Sequence, residues 1–293
     1  MNRALIQAAS LVAVLFTPSI LLAQSGTAEL NGVSLPYKME GAGTPLVLIH
    51  GWAVHSGYWN PNVEQLARQH LVIRYDRRGF GTASGKPDFS ADPADLKALL
   101  NQLGVTRAHI LGHSQGAKVA LTFALRYPDM VDALVLFGSG PLPGQELTTS
   151  DCLPPAREWV ALGASHGVDS IRAGIRRWSV ECFGGPTEVI AALAQDLLAA
   201  YSGADLLDPT PPSNLVAPAG VSDLATVTAP TLVIHGDQEM GFVRATADLL
   251  ANVIPGAQRV IVPGGGHAVN WQEPDRFAAE VLRFLQQIEQ SSR

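Results

Sequence analysis

Short apolar runs alternate with longer amphipathic ones along most of the chain. Pro45–Ile49, Leu71–Tyr75, His109–Leu111, Val131–Phe137, Thr231–His235 and Arg259–Val262 read as strands. Each is too short for a stable helix and is bounded by turn residues. Most are nearly continuously apolar, as a strand covered on both faces must be. Between them the apolar spacing changes to that of helices. A helix capped by Asn60, with Pro61 in its first turn, runs to about Gln69. Another opens at Asp92-Pro93 and puts Leu96, Leu99, Leu100 and Leu103 on one face. Gln115–Arg126, Val243–Asn252 and Asp275–Ile288 are further helices. Asn31-Gly32 sits between two short extended stretches, a hairpin signal. This alternation predicts an α/β fold with a mostly parallel sheet flanked by helices.

The order changes over residues 141–225, which are helix-rich and dense in Pro and Gly. Helices are expected at Ala156–Leu162, Val168–Trp178 and Thr187–Tyr201, with a stiff return through Asp208-Pro-Thr-Pro-Pro212 and Pro218. A helical cap inserted after the sixth strand accounts for this. The predicted organisation is a core of 24–140 and 226–293 with a cap of 141–225. Residues 1–23 stand apart. Arg3, an apolar run strongest at Leu11–Phe16, and Ala23 before Gln24 have the layout of a cleaved secretory signal peptide. The expected location is therefore outside the cytoplasm, periplasmic or secreted. No later stretch is long and apolar enough to span a bilayer, so no stable membrane span is expected after processing.

Composition narrows the partners. The 293 residues are 47% hydrophobic and 16% charged, enough for a large core and against wholesale disorder. The formal charge of −6 argues against a nucleic-acid partner. The two cysteines, Cys152 and Cys182, lack a finger-spaced Cys or His, so no metal is expected there. In an exported protein the pair is a candidate disulfide tying the first half of the cap to itself.

The strongest chemical signal is Gly112-His-Ser-Gln-Gly116, which lies between a strand and a helix. This is the G-x-S-x-G nucleophile elbow in the context that the motif requires. A sharp turn exposes the Ser114 hydroxyl beside a helix N-terminus, where developing negative charge is favoured. A serine hydroxyl is a weak nucleophile near neutral pH and needs a base.

With these residues in view, the chain resembles the α/β-hydrolase superfamily, over residues 27 to 290. His50-Gly51-Trp52, Tyr75-Asp-Arg-Arg-Gly-Phe-Gly81, the elbow, His235-Gly-Asp237 and Gly264-Gly-Gly-His267 stand in the family's order. The resemblance implies eight strands with only the second antiparallel. It also implies a triad of Ser114, Asp237 and His267, because the residue after His-Gly is the family's usual acid. Glu239, two residues further on, is the second choice. Oxyanion donors are implied at the backbone N–H groups of Trp52 and Gln115. His50 is read as loop-shaping, His113 as turned away from the reaction, His235 and Asp76 as structural, and His70 and His109 as ordinary surface or core residues.

A serine at the elbow excludes the family's aspartate-nucleophile branches. The Tyr75–Gly81 motif is most similar to the branch of cofactor-free haloperoxidases (perhydrolases), aryl esterases and enol-lactonases. The expected activity is hydrolysis of a small-molecule carboxylic ester or lactone through an acyl-enzyme, without a cofactor. Carbon–carbon bond hydrolysis and perhydrolysis use the same triad, and a non-catalytic ligand receptor is the alternative from another class. Pocket candidates are Tyr58, Trp271, Trp159 and Trp178, the last two doubling as cap core. Arg172, Arg176 and Arg177 on a predicted cap helix read as a solvated face, with a carboxylate anchor as the sharper alternative.

Overall fold

At Asn31-Gly32 both residues adopt positive φ, 48° and 75°, the requirement of a tight two-residue hairpin turn. The turn joins β1 (Gln24–Leu30) to β2 (Val33–Glu40) in the computed structural model of the chain, which describes residues 23–146, 152–207 and 219–291. The signal-peptide segment and most of the Pro-rich return path lie outside the described residues. The remaining strands are β3 (Thr44–Ile49), β4 (His70–Tyr75), β5 (Ala108–His113), β6 (Val131–Phe137), β7 (Thr231–Gly236) and β8 (Gln258–Val262). Among the described residues they form one sheet in the order β1-β2-β4-β3-β5-β6-β7-β8. β2 is antiparallel to both neighbours and all other pairings are parallel, as expected.

Side-chain alternation splits the core into two layers. Val47 and Ile49 of β3 pack with Ile110, Leu134 and the faces of α2 (Asp92–Gln102), α3 (Gln115–Arg126) and α8 (Gly241–Val253). Leu46 and Leu48 point the other way, with Leu111, Val135 and the faces of α1 (Asn60–Ala67) and α10 (Pro274–Ser291). Both sheet faces are thus covered, which explains the continuous apolar strands.

Between β6 and β7 the chain forms α4 (Ala156–His166), α5 (Val168–Cys182), α6 (Thr187–Leu198) and α7 (Ala204–Leu207). Trp159, Ile171, Ile175, Ala194, Leu198 and Tyr201 give this segment a core of its own. Cys152 and Cys182 form a disulfide with Cα atoms 5.5 Å apart. It packs against Met240, Phe242 and Val243 of the β7–α8 region, and the Trp178 indole donates to the Cys152 carbonyl at 3.1 Å. A short helix, α9 (Val269–Gln272), precedes α10. No helix among the described residues is long and apolar enough to cross a membrane.

Candidate active site

The elbow is built by close backbone approach. A side chain at Gly112 would overlap the Gly116 carbonyl, and one at Gly116 would overlap the carbonyls of Ile49 and His50. With strand and helix pressed together, Ser114 is forced to φ 54°, ψ −116°. A non-glycine residue held there costs on the order of 1–3 kcal/mol. The Ser114 amide is fixed to the Phe137 carbonyl at 2.8 Å. Ser114 and His267 line one cavity of about 290 Å³ beneath the inserted helices, with Trp52, Tyr58, Lys118, Trp178, Phe183 and Leu193 among its walls.

The acid is where the structure departs from the sequence-based expectation. His267 Nδ1 lies 3.0 Å from each carboxylate oxygen of Glu239, and Glu239 is buried at 3% exposure. Asp237 does not make this contact. Its carboxylate is exposed and accepts from the Gly264 amide at 2.9 Å. It borders a separate surface cleft with Arg244, Asp248 and Arg259. The reason is local. After β7, the Asp237 amide donates to Val262 and the Gln238 amide to Gly265, so the strand direction continues for two more residues. The chain then turns in, and Glu239 is the side chain delivered beneath the imidazole. Its Oε1 also accepts from the Met240 amide at 3.0 Å, which fixes the carboxylate.

His267 is held from three further directions. Its amide donates to the Phe183 carbonyl at 2.6 Å, and the Phe183 ring sits edge-on 4.7 Å from the imidazole. Its carbonyl lies 2.9 Å from His113 Nε2. A carbonyl only accepts, so His113 carries its hydrogen on Nε2 and donates it. His113 is stacked on Tyr58 and lies tilted against Phe137. Burial, then the nearby His267, lowers its pKa well below the usual histidine range, so it stays neutral. His113 therefore faces the cavity and clamps His267, contrary to the expectation that it turns away.

The loop after β3 is locked by Arg77, which is fully buried. Its guanidinium reaches Asp92 at 2.7 Å, the Gly51 carbonyl at 3.1 Å and the Gln115 side chain at 2.6 Å. His50 accepts from the Arg77 amide at 3.0 Å and donates to the Gly51 carbonyl at 2.8 Å. Burial and Arg77 lower its pKa to about 3, so it too is neutral. Among the described residues, the amides of Trp52 and Gln115, expected as oxyanion donors, have no backbone acceptor in the turns around them. The Trp52 indole donates to Asp205 at 2.5 Å and stacks on Trp159, while Tyr201 donates to the same carboxylate at 2.6 Å. The α4–α7 segment thus grips the loop that carries one expected donor.

Of the pocket candidates, Tyr58 and Trp178 line the cavity. Trp159 does not, because its ring is consumed by the α4–α7 core and the stack on Trp52. Trp271 does not either. It braces the wall from behind by donating to the Tyr58 carbonyl at 2.7 Å. Arg172 is tied to Tyr201 and Asp169, Arg176 and Arg177 are exposed, and none of the three lines the cavity. Among the described residues the cation that lines it is Lys118, in the first turn of α3, a position sequence reasoning missed. Its signal was a basic residue four positions after the elbow serine. At the opposite ends of the strands, His70, His109 and Glu289 bring potential ligand atoms within 4.8 Å of one another, with His109 and Glu289 3.3 Å apart.

A fold of this topology, with a strained serine on an elbow and a buried carboxylate–histidine pair, defines the class. Residues 46–280 match the alpha/beta hydrolase family model, and the chain belongs to that family. Among its relatives is a provisionally named non-heme chloroperoxidase of Synechocystis sp., 32% identical, covering 92% of this chain and all of that one. A pimeloyl-[acyl-carrier protein] methyl ester esterase of Nitrosomonas europaea is 26% identical over 84% of this chain and 97% of its own. A thermophilic esterase from Thermogutta terrifontis superposes with a TM-score of 0.76 at 24% identity, covering 91% of this chain and 99% of that one, a likeness of fold.

Proposed function

We propose that this hydrolase cleaves carboxylic esters or lactones, with Ser114 as nucleophile, His267 as general base and Glu239 as the acid that orients it. The observation that carries the reading is that the strained Ser114 shares a largely apolar cavity with an imidazole whose Nδ1 faces a buried carboxylate. In this scheme Nδ1–H donates to Glu239, leaving Nε2 to accept the serine proton as Oγ attacks the carbonyl carbon. The oxyanion is received by the amides of Trp52 and Gln115. Collapse expels the alcohol, protonated by His267, and leaves an acyl-serine. Water activated by the same imidazole then releases the acid. The disulfide fits an oxidising compartment, which supports export.

The test is Ser114→Ala together with organophosphate labelling, on a panel of p-nitrophenyl esters and lactones. Turnover should fall by about 10⁶-fold, with one label per chain, on Ser114. Residual turnover above a few per cent, or labelling elsewhere, rejects the nucleophile. A wild-type protein that stops after a few events per chain would instead be a ligand receptor. Perhydrolysis is a second reading, favoured by the chloroperoxidase name of one relative. Hydrogen peroxide would replace water in attacking the acyl-serine, and peracid formation in acetate and peroxide checks it.

A further inference from the structure

Lys118 occupies a position that the fold alone does not explain. It lies in the first turn of α3, where the helix dipole disfavours a cation. Its side chain is half-buried, and its tip lies beside Gly140, where a Cβ would stand 3.6 Å from Nζ. Among the described residues, its ammonium group has neither a hydrogen-bond nor an ion-pair partner, whereas the buried Arg77 pairs through both terminal nitrogens with Asp92, Gly51 and Gln115. Lys118 lines the same cavity as Ser114 and His267. Buried ammonium groups are ordinarily paired, because losing hydration without compensation is costly. Ser114 stands at the N-cap of α3 and Lys118 in its first turn, so both open onto the same cavity from the same end of the helix. A lysine can therefore reach a group a few atoms from a carbonyl bound at Ser114.

We propose that Lys118 is the recognition point for a carboxylate on the substrate, so that the preferred substrates are half-esters of dicarboxylic acids or carboxylate-bearing lactones. The inference rests on the ester-hydrolase reading for its substrate class. The carboxylate would supply the ion pair and hydrogen bonds that Nζ lacks, in a cavity whose walls are otherwise mostly apolar. That gives discrimination against the neutral analogue, because binding the analogue leaves the ammonium buried and unpaired.

The experiment compares two matched pairs of esters. One carries the charge on the acyl side: mono-4-nitrophenyl glutarate against 4-nitrophenyl pentanoate. The other carries it on the alcohol side: 4-acetoxybutyrate against butyl acetate. In wild type the ratio of kcat/KM, anionic over neutral, should exceed that of Lys118→Met by about 10- to 100-fold in at least one pair. Lys118→Met should also melt no lower than wild type, since an unpaired, half-buried charge has been removed; Lys118→Gln serves as a second variant should the first fail to fold.

A pH profile adds an independent signature. Burial pulls the Lys118 pKa down to about 8, so the anionic preference should decline as pH rises through that value and be flat in Lys118→Met. The other titratable groups lining the cavity are Tyr58, His113 and His267; Glu239 backs onto His267 and Glu146 is exposed. The neutral ester in each pair corrects for their titration. If the ratio is unchanged by substitution in both pairs, or if both esters of a pair fall equally, Lys118 is not an anion-recognition residue. Calorimetric binding of monomethyl glutarate to Ser114→Ala, with and without Lys118→Met, separates this from the catalytic reading. Lysine-dependent binding without wild-type turnover would sink the hydrolase assignment and keep the anion site. Turnover without lysine-dependent binding would do the reverse.

Discussion

Glu239→Gln is the substitution on which the proposed mechanism depends most directly. Glu239 and Gln have nearly the same shape, so packing is preserved, but two things are lost. The first is charge. A carboxylate beside an imidazolium at about 4 Å is worth about 4 kcal/mol at an effective dielectric of about 20, roughly 10³ in rate. The second is tautomer control. Oε1 accepts from both the Met240 amide and His267 Nδ1, whereas Oε2 faces Nδ1 alone. The amide oxygen of Gln must take the Oε1 position to keep the Met240 bond, which puts its NH₂ group opposite Nδ1. There it donates to an unprotonated Nδ1 and favours hydrogen on Nε2, the atom that must accept from Ser114. The combined loss is expected to be about 10³- to 10⁴-fold in kcat, comparable to other triads that lose their acid. The assay is steady-state hydrolysis of a p-nitrophenyl ester by wild type, Glu239→Gln and Asp237→Asn, with circular dichroism to verify folding. Asp237→Asn, altering an exposed side chain that accepts from Gly264, should stay within about 10-fold of wild type. Loss of activity in Asp237→Asn with activity retained in Glu239→Gln would refute the reasoning.

Two further outcomes follow from the same geometry. Reduction of Cys152–Cys182 opens a loop with a sequence separation of 30, worth about 3.6 kcal/mol on the chain-entropy model. Because Phe183, next to Cys182, holds the His267 amide, reductant should lower activity and speed proteolysis of the 141–225 segment before the sheet unfolds; unchanged kinetics and proteolysis would reject the link. His50 is buried neutral with its pKa lowered to about 3, against about 6.5 in an unfolded chain. The unfolded state thus binds the extra proton first, and stability is lost as pH falls below about 6.5, reaching about 2 kcal/mol from this group by pH ~5. Urea titrations at pH 7 and 5 should show that difference shrink by a similar amount in His50→Asn, and an unaltered pH dependence would count against it.

The hairpin and the buried strands were legible because each depends on local chemistry; the antiparallel second strand was implied only by the family resemblance. Positive φ at Asn31-Gly32, continuous apolar runs and 3.6-residue periodicity are written residue by residue. Gln115–Arg126 and Val131–Phe137 begin and end where the pattern placed them. The serine was legible for the same reason: Gly112 and Gly116 are needed wherever strand and helix backbones come into contact. The cysteine pairing was legible from the count of two and the expectation of export. The acid was not. Asp237 and Glu239 lie on the same loop, both carboxylates, two residues apart. Which one meets His267 depends on how far β7 runs on beside Val262 and Gly265 before the chain turns, a matter of contacts between segments about 25 residues apart. The same holds for Trp159, whose ring could have faced cavity or core until Trp52 stacked on it. It holds too for Lys118, whose spacing from Ser114 was visible but whose lack of a partner was not. Secondary structure, turns and the strained elbow serine follow from sequence-local sterics and burial. The inward or outward facing of a polar side chain is decided only when distant segments pack and leave one position inside.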